Sequence, residues 1–314
     1  MEPEQIKRAQ EVEARRRISV VIPAHRRPED LSRALESLCE QTFRDFEVIV
    51  ADDGSDPPLR ETTERFIGRI DIRYLHLPRR GRPAGPRNRA IQESKSEWIC
   101  FLDSDDTWDP EKLEALLTQL CEDVDLVFHP LKLRNQPTLA TLAFAPWSWR
   151  RRAVGSDFCG RKPIDHFAIV GNTIAMSGTA VRRTSLVNAG GFDEEIERND
   201  DYDMWVRLAA AGARFKFLDR ALGTYANGDD RVSTRPRLGI LARRRMRLKH
   251  KEFFTLALWE QVLARFAYLD AVESMHSNEP EVEATAGQLT LWAYPRYWLA
   301  LKYRRAVAKA LKRR

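Results

Sequence analysis

Short apolar runs alternate with amphipathic stretches along the N-terminal part of the chain. Ile18-Ser19-Val20-Val21-Ile22 is apolar at nearly every position and runs into Pro23-Ala24-His25-Arg26, the pattern of a strand buried on both faces. From Pro28 to Glu40 the apolar residues Leu31, Ala34, Leu35 and Leu38 recur at helical spacing, with a proline and two acids in the first turn. Glu47-Val48-Ile49-Val50-Ala51 predicts a second buried strand, ending in Asp52-Asp53-Gly54-Ser55-Asp56. Ile70 to Leu75 and Trp98 to Leu102 predict two more strands, and Pro86 to Ser94 a helix between them. Strands alternating with helices imply an α/β fold with a mostly parallel sheet, in which ligands sit outside the carboxyl ends of the strands.

Acidic residues collect at those ends. The run Trp98-Ile99-Cys100-Phe101-Leu102 delivers Asp103, Asp105 and Asp106 into the turn that closes it. Carboxylates so close repel one another, and the economical partner is a hard divalent ion, Mn²⁺ or Mg²⁺, which takes oxygen ligands and keeps positions open for substrate phosphates. The plainer alternative is an acidic turn in which Thr107 or Asp109 caps a helix starting near Pro110. A dinucleotide fold is excluded, because Pro23-Ala24-His25-Arg26-Arg27 stands after the first strand where a G-x-G-x-x-G turn would be required.

Taken in series, these motifs resemble those of the inverting family 2 glycosyltransferases of GT-A fold, in the right order over roughly residues 17 to 233. Ile18 to Arg26 resembles the family's opening strand and nucleoside-side loop, Asp52-Asp53-Gly54-Ser55 its second strand end, Gly85-Pro86-Arg87-Asn88 its Ala-Arg-Asn turn, and Asp103-Ser104-Asp105-Asp106 its metal motif. Ser177-Gly178-Thr179-Ala180-Val181-Arg182-Arg183 and Gly190-Gly191-Phe192-Asp193-Glu194 resemble the segments before the base, and Asp200-Asp201 stands where the family has a Glu-Asp pair opening a helix. The resemblance implies a Rossmann-like, mostly parallel sheet flanked by helices, with a C-terminal helical appendage. It further implies donor-nucleotide contacts from Pro23, Ala24, His25, Arg26, Asp53, Arg87, Asp103, Ser104 and Asp105, metal ligation by Asp105 and Asp106, and Asp201 as catalytic base. Asp200, Gly178, Thr179 and Trp205 are the corresponding acceptor contacts. The implied activity is metal-dependent transfer, with inversion, from a nucleoside-diphosphate sugar, a UDP-sugar by preference, to a hydroxyl of a glycan, a lipid-linked precursor or another acceptor. In such a reaction a carboxylate deprotonates the attacking hydroxyl while the metal stabilises the departing diphosphate.

Two positions depart from the family pattern. Asp200 is shorter than the usual Glu, and Asn227 or Gly228 falls where the family often has a histidine near the metal, leaving Asp229 or Asp230 as a possible oxygen ligand or simply a good turn. His25, where Tyr is common, could stack on the base or serve only as a loop residue. Between Leu131 and Ile169, Phe144, Trp147 and Trp149 precede Arg150-Arg151-Arg152, a set suited to sugar rings and acidic acceptors and equally to a surface loop.

The chain divides into a charged extension at 1–16, a catalytic domain at 17–235 and a basic, amphipathic region at 236–314. In the last of these, Leu291, Trp292, Tyr294, Tyr297 and Trp298 lie beside Lys302, Arg304, Arg305, Lys309 and the terminal Lys312-Arg313-Arg314. Such a helix suits an anionic membrane interface, or a lid with its aromatic stripe turned onto the catalytic domain. The 43% hydrophobic content is ample for a core. No run approaches the ~18 apolar residues that would span a bilayer, and the start of the chain lacks the apolar segment of a signal peptide. Cys39, Cys100, Cys121 and Cys159 lie scattered in core-like positions without paired spacing, as expected in a reducing compartment and against a zinc site. The expected location is the cytoplasm, with the C-terminal region able to meet the cytosolic face of the membrane. A net charge of +6 raises nucleic-acid binding, but the positive charge concentrates in the appendage and no nucleic-acid motif occurs. No nucleic-acid partner is expected. A nucleotidyltransferase, or a basic binding protein with a catalytically silent GT-A domain, is the other class of function open at this point.

Overall fold

A computed structural model describes residues 18–134, 161–169, 171–197, 199–226 and 245–263. Strands β1 (Ile18–Ala24), β2 (Phe46–Asp53), β3 (Asp71–Leu77) and β4 (Trp98–Phe101) are parallel neighbours in the order β3-β2-β1-β4. Beyond β4 the sheet continues through β8 (Thr179–Arg182), antiparallel to it, then β6 (Leu126–Phe128) and β9 (Phe215–Phe217). This mostly parallel sheet flanked by helices is the α/β fold expected. β1 stops at Ala24, and the helix after it occupies Pro28–Cys39, within a residue or two of the bounds read from the pattern.

Both faces of the sheet are covered, which is why its strands carry continuous apolar runs. The pleat sends Val20, Ile22, Val48, Val50 and Cys100 to one face, where Leu31, Leu35 and Leu38 of the helix Pro28–Cys39 pack on them. Val21, Ile49, Ile99 and Phe101 point to the other, against Ile91, Leu186, Met204 and Trp205. The helix Pro28–Cys39 has no side-chain cap at its N-terminus, but Pro28 sits at the first turn with Glu29 and Asp30, which favour the positive end of the helix dipole. Leu35 is wholly buried, and its truncation to alanine would cost about 2 to 5 kcal/mol.

A three-stranded second sheet escaped the sequence pattern. β5 (Thr107–Trp108), β7 (Lys132–Leu133) and β10 (Gly223–Tyr225) pair in the order β5-β10-β7. Thr107, which with Asp109 was an alternative helix cap, is therefore a strand residue, and the helix begins at Lys112. The two-residue segments are too short to show a period, and only the pairing with Gly223–Tyr225 makes them strands. Ala226, directly after β10, donates its N–H to Asp106 at 2.9 Å, which ties this small sheet to the Asp103–Asp106 turn.

Residues 245–263, expected in the appendage, lie against the catalytic domain. Phe254, Leu258 and Val262 pack on Ala168, and Nε of Arg247 donates to the Ala168 carbonyl at 2.7 Å. Cys39 and Cys100 are buried and free. Cys121, in the turn after the short helix Lys112–Leu117, is exposed, contrary to its core-like appearance in sequence. Among the described residues no helix is long and apolar enough to cross a membrane. The extension 1–16, Cys159, the segment with Trp147 and Trp149, and the aromatic and basic residues after position 288 lie outside the described residues.

Candidate active site

The carboxyl ends of β1, β2 and β4 and the start of the helix Asp200–Ala210 form one acidic site rimmed by arginines. At the end of β1 the chain turns sharply, with Arg26 at φ +47°, and the Arg26 N–H donates to Oγ of Ser55 at 2.9 Å. A guanidinium nitrogen of Arg79 donates to Nδ1 of His25 at 2.9 Å. Partial burial, then Arg79 and Arg26, hold the His25 imidazole below its ordinary value, so it sits there as a neutral ring.

The two acids ending β2 do different work. Asp52 is fully buried and accepts from the Ser55 and Leu59 N–H groups at 2.9 and 3.1 Å and from the Tyr74 hydroxyl at 2.5 Å, which locks the loop. Asp53 accepts the N–H groups of Arg80 and Gly81 at 2.6 and 2.7 Å, fixing the chain that leaves β3. Gly54 permits this approach. Its φ is +61° and an added Cβ would stand 2.7 Å from the Arg79 backbone nitrogen.

Ser177 organises the Asp103–Asp106 turn. Its hydroxyl accepts the Asp103 N–H at 2.9 Å and donates to Oδ2 of Asp106 at 2.6 Å, while Oδ1 of Asp106 accepts the Ala226 N–H at 2.9 Å. The Ser177 carbonyl accepts Trp108 Nε1 at 2.9 Å and Nζ of Lys112 at 2.5 Å. Lys112 is wholly buried with its ammonium 3.6 Å from the Trp108 ring centroid, and burial pushes it down to about 7. Asp106 is 1% exposed; burial, followed by Asp103 and Asp105, raises its carboxyl above the ordinary range despite the Ser177 and Ala226 bonds. Asp105 is better exposed and pairs with Arg27 at 3.1 Å. Asp103, Asp105 and Asp106 present hard oxygen atoms, the donor type that Mg²⁺ or Mn²⁺ takes, with Arg87 on Asp103 and Arg27 on Asp105 as their cationic partners. Among the described residues no three His, Cys, Asp or Glu side chains are gathered into a metal-holding cluster, at this turn or elsewhere.

Arg87 joins this motif to the helix of acids. It is 4% exposed, donates to Oδ1 of Asp103 at 2.7 Å and to Oδ2 of Asp200 at 2.5 Å, and lies over the Phe192 ring. Burial opposes its charge, but Asp200 and Asp103 outweigh burial and hold the guanidinium above its ordinary value. Next to Asp200, Asp201 accepts the Tyr202 N–H on Oδ1 and Nδ2 of Asn172 on Oδ2, both at 2.7 Å. Burial and then the neighbouring Asp200 push its carboxyl up, the shift a general base working near neutral pH requires.

Asp53, Arg87, Asp103, Ser104, Asp105, Asp106, Asp200 and Asp201 all lie along this site or the turns that bound it, with Pro23 to Arg26 at the end of β1. Gly178, Thr179 and Trp205 need correcting as acceptor contacts, because all three are buried. A Cβ at Gly178 would stand 2.5 Å from the His129 carbonyl, Thr179 donates to the Met176 carbonyl at 2.7 Å, and Trp205 is 0% exposed among core residues. The helical repeat turns Met204, Trp205 and Leu208 inward, and β8 pairs on both sides, so these residues form the floor of the site. Asn227 to Asp230 lie outside the described residues, although Ala226 just before them reaches Asp106. Sequence reasoning missed Asn172, Ser177 and Lys112, which act through bonds that spacing does not display. Only Ser177 had a signal, as the first residue of a motif segment.

The family model described as Glycosyl transferase family 2 matches residues 19–157, and that of Glycosyl transferase family group 2 matches residues 98–269. The amylovoran biosynthesis glycosyltransferase AmsB of Erwinia amylovora is 27% identical over 217 residues, covering 66% of this chain and 68% of that protein. The pre-mycofactocin glycosyltransferase of Mycobacterium tuberculosis is 30% identical over 212 residues, 66% of this chain but only 42% of that protein. In fold, the chain is similar to S. aureus TarS in complex with UDP-GlcNAc (TM-score 0.64, 20% identity, 88% of this chain and 81% of that one). It is similarly close to the mannosyltransferase PcManGT of Pyrobaculum calidifontis in complex with GDP-Man and Mn²⁺ (TM-score 0.64, 18% identity, 94% and 80%).

Proposed function

The chain belongs to glycosyltransferase family 2, and from that premise we propose that it transfers a sugar, with inversion and with help from a divalent metal, from a nucleoside-diphosphate sugar to an acceptor hydroxyl. The observation that carries this reading is Arg87, whose one guanidinium holds both Asp103 of the acidic turn and Asp200 beside Asp201. That pair of bonds sets the carboxylates this reading assigns to the donor and to the acceptor beside one another. Asp53, the Pro23 to Arg26 loop and Arg87 are assigned to the donor nucleotide and its diphosphate. Asp105 and Asp106 would hold the metal, which when bound supplies a positive charge that stabilises the leaving diphosphate. Asp201 takes the proton of the acceptor hydroxyl as that oxygen attacks the anomeric carbon, and the bond to the diphosphate oxygen breaks on the opposite side. Asp200, paired with Arg87, remains an acceptor for a sugar hydroxyl.

UDP is the preferred nucleotide in this reading, consistent with UDP-GlcNAc bound in a protein of the same fold, while GDP-Man in another marks the competitor to test. A cell-surface or lipid-linked glycan precursor is the acceptor class we favour, in keeping with the amylovoran biosynthesis role in the name of one relative. The Trp292, Tyr294, Tyr297, Trp298 set with its terminal cations further suggests attachment to the cytosolic face of an anionic membrane. Deleting residues 289–314 would then abolish vesicle binding and leave nucleotide binding intact.

The deciding experiment is Asp201→Asn, assayed after a thermal-shift panel of UDP-, GDP- and dTDP-sugars with Mn²⁺ has identified the donor. The variant is expected to keep donor binding and to lose transfer by about 10² to 10⁴, the worth of a positioned general base. Turnover close to the parent would sink the assignment, and release of pyrophosphate in place of a nucleoside diphosphate would point to a nucleotidyltransferase.

A further inference from the structure

Asp201 meets its main side-chain partner in a segment no motif singles out. Asn172 follows Gly171, which adopts φ +99°, and lies between the helix Pro163–Ile169 and the 3-10 turn Met176–Gly178. Its Oδ1 accepts the Ile174 N–H at 3.0 Å. That bond fixes the amide the other way round as well, because with the oxygen committed to a backbone donor, Nδ2 can only face Oδ2 of Asp201, 2.7 Å away. The segment itself is held. His166 Nε2 bonds Thr173 Oγ1 at 2.9 Å, and the Tyr202 hydroxyl donates to the Phe167 carbonyl at 2.5 Å, tying the helix Pro163–Ile169 to the helix of Asp201.

We propose that Asn172 is the positioning residue of the catalytic carboxylate, aiming Asp201 at the acceptor hydroxyl through a donor that its own turn prevents from flipping. This rests on the reading of Asp201 as base. With Oδ1 taken by the Tyr202 N–H at the helix start and Oδ2 by Asn172, the carboxylate plane is set from two elements, and each oxygen keeps one lone pair for a proton. The charged groups facing Asp201 are Asp200 on its own helix and Arg87 from the helix Ala84–Glu93, while His166 on the segment side is turned to Thr173. Burial and Asp200 favour the protonated form; the Asn172 amide opposes them, because a donor to the ionised carboxylate keeps it ionised. Without that donor Asp201 would hold its proton to higher pH and be a poorer acceptor of the substrate's proton at neutral pH.

The test reads Asp201 directly, by ¹³C-carboxyl NMR titration of the full chain, with its signal identified by its loss in Asp201→Asn. Asn172→Ala removes both bonds of the amide. Asn172→Ser keeps a neutral oxygen for the Ile174 N–H, and so the turn, but is too short to bring a donor to Asp201. Both variants should raise the Asp201 midpoint by about one pH unit or more, since a hydrogen bond to a charged group is worth that much. If Asn172 serves only the turn, Asn172→Ser will leave the Asp201 midpoint where it is in the parent, and the proposal is wrong. An unchanged midpoint in Asn172→Ala overturns it equally. Should Asn172→Ala fail to fold, the neutral Asn172→Ser still decides. The titration does not depend on catalysis, so loss of the base assignment would show separately, as undiminished transfer by Asp201→Asn.

Discussion

Arg87 donates from Nη1 to Oδ2 of Asp200 at 2.5 Å, across 113 residues of sequence, while its Nη2 reaches Asp103 at 2.7 Å. A planar fork can serve two carboxylates on different elements, and a lysine ammonium in the same place cannot hold both in that geometry. Breaking a buried ion pair leaves an uncompensated charge, and Asp200 has little solvent to turn to, its side chain being 10% exposed. Arg87→Met should therefore destabilise the protein by about 3 to 5 kcal/mol in denaturant unfolding at neutral pH. Arg87→Lys should recover only part of that loss and still lack nucleotide-sugar binding in a thermal-shift assay. A fully stable Arg87→Met would mean that the two acids do not need the bridge.

Asp106 makes stability depend on pH in the opposite sense from most carboxylates. Burial, then Asp103 and Asp105, raise its folded-state value, so the folded protein keeps a proton that the unfolded chain has released. Stability therefore falls as pH rises from the ordinary value of 3.8 until Asp106 itself ionises in the folded state. Asp106→Asn should remove that loss. Its Oδ1 can keep the Ala226 N–H, and its amide can face the Ser177 hydroxyl. With chelator present, the variant should melt above the parent at neutral pH and near it at pH about 3. Added Mn²⁺ should raise the parent's melting temperature and leave the variant's unchanged. A parent that melts higher than the variant in chelator at neutral pH would refute this account of the site.

The sheet was legible because Val20-Val21-Ile22 and Val48-Ile49-Val50 are too uniformly apolar for any one-sided element, and the helix Pro28–Cys39 because Leu31, Leu35 and Leu38 keep its period. Asp103 to Asp106 and Asp200-Asp201 were legible because clustered charge at strand and helix ends is itself a signal. Trp205 misled for a physical reason: the resemblance implied an acceptor contact, but the helical spacing of Met204, Trp205 and Leu208 serves a core stripe, and the core took it. Asn172 carried no signal, and Ser177 only its place at the start of a motif segment. Their importance consists of single hydrogen bonds to residues 29 and 71 positions away, which no local pattern records.

Gly178 is a glycine because backbone needs its space. A Cβ there would sit 2.5 Å from the His129 carbonyl oxygen, at the point where the His129 N–H donates to the Gly178 carbonyl at 3.0 Å. Backbone cannot swing aside as a side chain can, so Gly178→Ala must push β6 and the Met176–Gly178 turn apart. Ser177 would move with that turn and release Asp106. The expected outcome is a loss of about 1 to 3 kcal/mol in unfolding stability, the usual cost of overpacking, with weaker Mn²⁺-dependent nucleotide stabilisation. Unchanged metal dependence in a destabilised Gly178→Ala would show that Ser177 does not transmit the strain.

Asp203 would be easy to mistake for the base, being two residues along the same helix, but its surroundings assign it a different task. It is 0% exposed, with Arg207 donating from Nε at 2.8 Å, Lys249 at 2.6 Å and His250 Nε2 at 2.8 Å. Burial opposes its charge, yet these partners outweigh burial and hold its carboxyl well below the usual range. A depressed carboxyl adds stability that is fully present above its ordinary value of 3.8 and is lost as pH falls through the more acid folded-state value. Asp203→Asn should thus cost about 3 to 5 kcal/mol at neutral pH, the effect of removing one partner of a buried ion-pair network, and the gap to the parent should narrow in acid. Because Lys249 and His250 belong to the segment packed on Ala168, hydrogen exchange of residues 245–263 should quicken in the variant at neutral pH. Transfer by the folded fraction should persist, in contrast to Asp201→Asn. An Asp203→Asn protein as stable as the parent yet inactive would reverse the assignment and move the chemistry to Asp203.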